Sequence, residues 1–312
     1  MENVIDTFTH GLKNMTKNPI LFAPMFLYLV ANFVLSFVFT AVLVIIILFA
    51  VGTESNGVLL GAVGISIFIY TLIYTVLISY FSAGTIGMSK NIISTGQTKF
   101  NDMFTYGNKY TIRVIIATFI SAILQLISIV FWIPVVYACL TSGYTIESFF
   151  DLFINNFDEL MLFLTSLLLP ALIGFLLTFI YLIIISVLFY FVKYAIIVDD
   201  IPVIASFKKS YVLVRQHFWK VIGFIIILCI IMIVVMSVLY GIYFLIALIS
   251  FSFVDDPTMS LFFSMIQLIY QFIMSLLLLC LSVAGFVWIT RFYMVISGQE
   301  LYTEENLIEN KF

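Results

Sequence analysis

Six uncharged stretches, residues 18–53, 55–89, 114–146, 160–192, 221–254 and 257–290, each run for more than 30 residues between charged positions. Each exceeds the roughly 20 residues needed to cross a hydrocarbon layer. None alternates strictly between apolar and polar, which argues against strands. Lipid offers backbone groups no hydrogen-bond partners, so such stretches must satisfy their own and form helices. The pattern predicts helices over 19–51, 58–86, 112–139, 159–192, 218–250 and 259–292. A helix of about 30 residues is about 45 Å long, against about 30 Å of hydrocarbon, so the excess becomes tilt, kink or projection. Pro24, Pro134 and Pro170 are candidate kink or end positions.

Polar segments between these stretches carry a second pattern. Residues 6–14 and 102–110 share five of nine positions: Asp6/Asp102, Phe8/Phe104, Thr9/Thr105, Gly11/Gly107 and Lys13/Lys109. A degenerate third copy has Ala205, Phe207 and Ser210 where Asp, Phe and Gly stand in the others. Each copy precedes a pair of apolar stretches. The expectation is three tandem units, approximately 1–92, 93–196 and 197–296, each a polar elbow followed by two membrane helices, with a tail over 297–312. In this reading Asp6 and Asp102 cap a short surface helix, Phe8, Phe104 and Phe207 occupy equivalent places at the lipid boundary, and Gly11 and Gly107 permit close packing or a bend.

The third elbow predicts a basic amphipathic helix. Asp200 caps it, Pro202 stands in its first turn, and Val203, Phe207, Val214 and Phe218 make its apolar stripe. Lys208, Lys209 and Arg215 lie off that stripe. A second surface helix is expected over 145–158, with Ile146, Phe149, Phe150, Phe153, Ile154 and Phe157 on one face.

Composition agrees with a lipid solvent. The chain is 64% apolar and 9% charged over 312 residues, whereas soluble domains are nearer half apolar and a quarter charged. The net charge of −3 hides a segregation. Six helices place the termini and the segments near 87–112 and 193–218 on one side, and all 13 Lys and Arg fall there. The opposite side has Glu54, Glu147, Asp151, Asp158, Glu159, Asp255 and Asp256 and no cation. The positive-inside rule then puts both termini in the cytoplasm of a multi-pass cell-membrane protein. Trp219, Trp288 and Trp132 fit interfacial belts. The first apolar run is longer than a signal-peptide core and reads as a retained helix.

Candidate chemistry is sparse. No ionisable residue lies deep inside any stretch, where proton relays and ion carriers keep one. Asn32, Gln125, Gln267 and Gln271 are the amides inside; Gln267 and Gln271 share a face and could line a cavity or bond between helices, the latter being favoured. Gly57, Gly61, Gly64, Ser82, Gly84 and Gly87 read as close-packing positions. Cys139, Cys229 and Cys280 have no ligand spacing and read as free thiols. His10 and His217 lack the partners a metal needs. Asp199 and Asp200 read as helix capping rather than acid–base chemistry. No catalytic residue, cofactor, metal or nucleic-acid partner is expected. Lys13, Lys109, Lys208, Lys209 and Arg215 are candidates for contact with anionic lipid or a partner protein, or simply obey the orientation rule.

The text from Leu188 through Asp200, with Ala205-Ser-Phe-Lys-Lys-Ser210 and Val214-Arg-Gln-His-Phe-Trp-Lys-Val-Ile-Gly-Phe224, resembles the membrane domain of the glycerophosphoryl diester phosphodiesterase family and its stand-alone prokaryotic relatives. The opening Lys17-Asn-Pro-Ile-Leu-Phe-Ala-Pro24 is similar to the start of that domain. In enzymes of that family catalysis belongs to a separate soluble barrel, whose histidine-rich motif this chain lacks. The resemblance therefore implies a membrane module and not a phosphodiesterase. The expectation is a non-enzymatic module associating with lipids or partner proteins; the alternative is a permease, or a permease subunit, for a neutral or apolar solute.

Overall fold

The structure, a computed structural model, describes residues 4–51, 56–141, 157–251, 257–299 and 301. Among them it is all-α, with ten helices and two short 3-10 segments. The helices are α1 (Val4–Lys17), α2 (Ala23–Val51), α3 (Asn56–Thr95), α4 (Phe100–Leu126), α5 (Ile133–Thr141), α6 (Phe157–Leu188), α7 (Val192–Val198), α8 (Val203–Gln216), α9 (Phe218–Phe251) and α10 (Pro257–Ile296). Six spans are long and apolar enough to cross a membrane: Pro19–Phe49, Gly61–Thr95, Phe100–Cys139, Leu164–Val198, Phe218–Ser250 and Leu261–Ile296. The expected surface helix over 145–158 lies almost wholly outside the described residues.

Prolines set several boundaries. Pro19 opens the 3-10 turn Pro19–Phe22, and Pro24 is the second residue of α2. Pro134 is the second residue of α5, directly after the 3-10 segment Ile127–Trp132. Its missing N–H and its ring disrupt the α-ladder to the preceding turn, so the chain tightens there. Pro170 lies inside α6 without ending it.

The chain divides into two compact units, Met1–Ile115 with Phe191–Phe312, and Ile116–Tyr190. This division does not follow the three expected repeats. In the smaller unit the Tyr181 hydroxyl donates to the Leu124 carbonyl at 2.7 Å, and Phe131 packs edge-on to Tyr181. Gln125 is exposed.

The larger unit keeps most of its buried side chains at one end, the end that carries the cations. Phe81 to Ser89 on α3 are buried without a break. A helix is buried all round only where neighbours surround it. The neighbours here include α7, buried along its length except Lys193, and α10. An aromatic chain ties these elements together. Phe8 of α1 lies 5.3 Å from Phe224 of α9, Phe224 stacks on Phe292 of α10 at 4.1 Å, and Phe292 lies 6.0 Å from Phe191. The apolar lengths of α2, α3, α9 and α10 beyond this collar are largely exposed.

The elbows are unlike one another in form. The first is a separate helix, α1. The second is the first part of the unbroken α4, so no surface helix turns into the membrane helix there. The third is α8, separated from α9 at His217. Their phenylalanines are not equivalent: Phe8 is 8% exposed, Phe104 is 38% exposed and packs on Phe100, and Phe207 is half-buried. What the three copies share is another pair of positions. Thr7/Met103/Ser206 and Gly11/Gly107/Ser210 are buried in all three, four residues apart on one helical face. The two glycines meet aromatic rings. A Cβ on Gly11 would stand 2.5 Å from Trp288, and one on Gly107 would stand 2.8 Å from Tyr80. The phrase therefore encodes a face that packs closely inward, not one that enters lipid.

Candidate functional site at the basic end of the helices

The site grows from the turn after α7. Pro202 bars the helical conformation at Ile201 and so separates α7 from α8. Its ψ of 157° marks the extended residue that precedes Val203. Asp200 bends the chain with φ 54°, a left-handed conformation that Asp tolerates better than most residues. Two adjacent carboxylates then address different elements.

Asp199 turns into the protein, with its side chain 9% exposed. It accepts hydrogen bonds from the Tyr293 hydroxyl of α10 and from the Gln299 amide. Lys209 of α8 completes the set at 2.8 Å. Gln299 reaches the site because α10 ends in a Schellman cap. Gly298, at φ 73°, lets the Gln299 N–H bond the Met294 carbonyl at 3.0 Å. The tail thus begins as an anchored segment.

Asp200 is 45% exposed and takes Lys109 at 2.7 Å and Arg113 at 2.9 Å, both on α4. The hydrogen bond from Lys109, supported by Arg113, holds its carboxyl below the usual carboxylate range. Lys109 and Arg113 also lie over the Tyr110 ring, at 5.0 and 5.8 Å. Lys90 of α3 donates to the Val198 carbonyl at 2.8 Å, satisfying one of the carbonyls left free at the end of α7.

A second network joins α3 to α4. The Tyr106 hydroxyl donates to Asn91 Oδ1 at 2.7 Å, and Asn91 Nδ2 donates to Asp102 Oδ2 at 3.0 Å. Asp102 also accepts from the Lys99 N–H at 2.9 Å and the Thr98 hydroxyl at 3.0 Å. Asp102 is therefore the third helical residue reaching back to the cap position, as the acid does in a capping box.

Several sequence expectations change here. Neither Asp199 nor Asp200 caps α8, whose start has no side-chain cap bond. Their position after a buried helix, beside three cations, makes ion pairing the stronger use. Lys109 and Lys209, named as lipid or partner contacts, are held by Asp200 and Asp199. Lys208 and Arg215 are exposed and make no ion pair among the described residues, and Lys13 is exposed. Phe8 is a core residue whose carbonyl accepts from Trp288 Nε1 at 3.1 Å, so Trp288 belongs to the core and not to a belt. Arg291 is buried as well.

The inward face of α8 is Ser206, Ser210, Leu213 and Val214, so of the predicted apolar stripe only Val214 is buried. Close approach to the buried α7 favours small side chains, and the Ser210 hydroxyl accepts the Phe191 N–H at 3.2 Å. No hydrogen bond joins Gln267 and Gln271; Gln271 is exposed and Gln267 half-buried. Gln271 faces outward, and α10 packs inward chiefly through its other end, from Val283 to Ile296. Sequence reasoning missed Tyr293 and Asn91, which stand inside or beside apolar runs without a spacing that marks them, and Tyr106, which lies at a position of the repeated phrase where the copies differ.

Six helices of membrane length, with no strand among the described residues, define an all-α polytopic membrane protein. Residues 3–296 match the family model described as a domain of unknown function (DUF7847), and the chain belongs to that family. No curated protein and no solved structure matches the chain. The family match carries no link to the glycerophosphoryl diester phosphodiesterases.

Proposed function

We propose that the chain is a non-enzymatic integral membrane module that associates with lipids, with its collar and both termini on the cytoplasmic side of the cell membrane. The observation that carries this reading is the distribution of burial in the larger unit. The collar is packed and bonded within itself, while Phe33, Phe37, Leu48 and Leu268 on the apolar lengths remain exposed. Such surfaces are stable only against acyl chains or other membrane helices. The cations of the collar favour a leaflet that carries anionic lipid. The resemblance to the membrane domain of the phosphodiesterase family supports the same role without its chemistry.

The test is native mass spectrometry of the chain extracted gently from its own membrane. Retained anionic lipid, enriched over the membrane's composition, is the expected result. A stoichiometric ATPase partner together with uptake of a neutral solute would replace this reading with that of a permease subunit. In intact cells, with Cys139, Cys229 and Cys280 replaced, Gln97→Cys should resist an impermeant thiol reagent applied from outside; its labelling would reverse the orientation.

A further inference from the structure

We infer that the outward face of α8 is an interfacial site for the head groups of anionic phospholipid, an assignment that rests on the reading of the chain as a lipid-associating module. Ile204, Lys208, Tyr211 and Arg215 follow at spacings of four, three and four, which puts them on one side of the helix. All four are exposed, Ile204 to 81%. The opposite side holds the buried Ser206, Ser210 and Val214. The outward side therefore alternates apolar or aromatic bodies with cations, the composition of a helix lying at a lipid boundary. Trp219, in the first turn of α9, is 82% exposed where the apolar run begins. Tryptophan at that point of a membrane helix marks head-group depth.

The charges select the ligand. Among the cations of this turn, Lys109, Arg113 and Lys209 are occupied by Asp200 and Asp199. Lys208 and Arg215 have no carboxylate partner among the described residues, so their attraction is available to an outside anion. They stand seven residues apart, about 10 Å along the axis, too far to chelate one phosphate and suited to a surface of them. Ile204 and Trp219 favour lipid over a soluble acidic protein, since both would otherwise stand in water beside a helix that enters the membrane. Lysine and arginine stems lie along apolar surface while their heads reach phosphate.

The test uses the full chain in vesicles of mixed phosphatidylcholine and phosphatidylglycerol, with the lipids retained after gentle extraction counted by native mass spectrometry. Wild type should prefer phosphatidylglycerol, and the preference should shrink at high salt. The Lys208→Gln/Arg215→Gln variant should keep its thermal stability and lose on the order of thirtyfold in preference, from the attraction expected of two surface cations. Lys109→Gln should retain the preference. An undiminished preference in the double variant overturns the assignment to α8 and leaves the module reading standing. Absence of any preference in wild type overturns both the assignment and the lipid half of that reading. Binding of polyglutamate in pure phosphatidylcholine vesicles, lost in the double variant and unaccompanied by lipid preference, overturns the assignment in favour of a soluble acidic partner.

Discussion

The two halves of α3 obey opposite rules. Toward its start the side chains are large and apolar, and Ile65, Phe68 and Ile69 are exposed; Gly61 and Gly64 have nothing near them. Toward its end Ser82, Gly84, Thr85, Gly87 and Ser89 replace them, and the stretch from Phe81 to Ser89 is buried on every side. Small residues let helices approach, and a backbone carbonyl one turn back takes up each hydroxyl. Thr85 bonds the Phe81 carbonyl at 2.8 Å and Ser89 bonds that of Thr85 at 2.7 Å. In this helix the most apolar length faces outward and the least apolar length is the core. Burial in lipid-solvated helices follows size and fit more than hydrophobicity, because acyl chains already satisfy leucine and phenylalanine.

The glycines give the sharpest way to break that contrast. A Cβ on Gly87 would overlap the Tyr106 ring, and the Tyr106 hydroxyl is tethered to Asn91, so the ring has little freedom to move aside. Gly87→Ala should cost about 3 kcal/mol or more, the upper range for overpacking. Gly64→Ala, in the same helix and in open space, should gain up to about 1 kcal/mol from the lower helix propensity of glycine. Unfolding of the detergent-solubilised variants in graded denaturant measures both. Equal losses at the two positions would show that the outer half is packed against something after all.

The next effect compares the two carboxylates at the turn after α7. Asp199 is buried among Tyr293, Gln299 and Lys209, and removing it strands three donors. Asp199→Ala should destabilise by about 3 kcal/mol, and Tyr293→Phe by about 1 kcal/mol. The pair Asp199→Ala/Tyr293→Phe should lose less than the sum, because both remove one contact. Strict additivity would mean that Tyr293 and Asp199 do not work together.

Much of this architecture is legible in the sequence. Intervals between charges located all six spans, because a run without charge longer than a bilayer has few other uses. The phrase around Gly11 and Gly107 recurs in the sequence, and both glycines pack closely. Its phenylalanines misled, since an exposed-looking Phe8 beside polar residues turned out to complete the stack with Phe224 and Trp288. That contact joins positions 280 residues apart, and no local pattern announces it. The cations had the same ambiguity. Sequence places Lys109 and Lys208 in one class, whereas the turn at Asp200 takes the first and leaves the second exposed. Only the path of the chain between α7 and α8 decides which lysine keeps its charge for other uses.

The smallest expected effect concerns pH and separates Asp200 from its neighbour once more. Its carboxyl is held below the usual carboxylate range, first by the Lys109 hydrogen bond and also by Arg113. A depressed carboxylate binds its proton more readily in the unfolded chain. Its contribution is therefore fully present above the unfolded value of about 3.9 and disappears as pH falls through the lower folded value. Asp200→Asn should lower the thermal midpoint slightly at neutral pH, and less than Asp199→Ala does, because the exposed pair is screened by solvent and salt. The gap between wild type and Asp200→Asn should hold constant from pH 7 to about 5 and close on acidification below about 4. Adding salt at pH 7 should narrow it as well. A gap that widens on acidification would mean that the Asp200 carboxyl is favoured in its protonated form, and that Lys109 and Arg113 do not hold it as an ion pair.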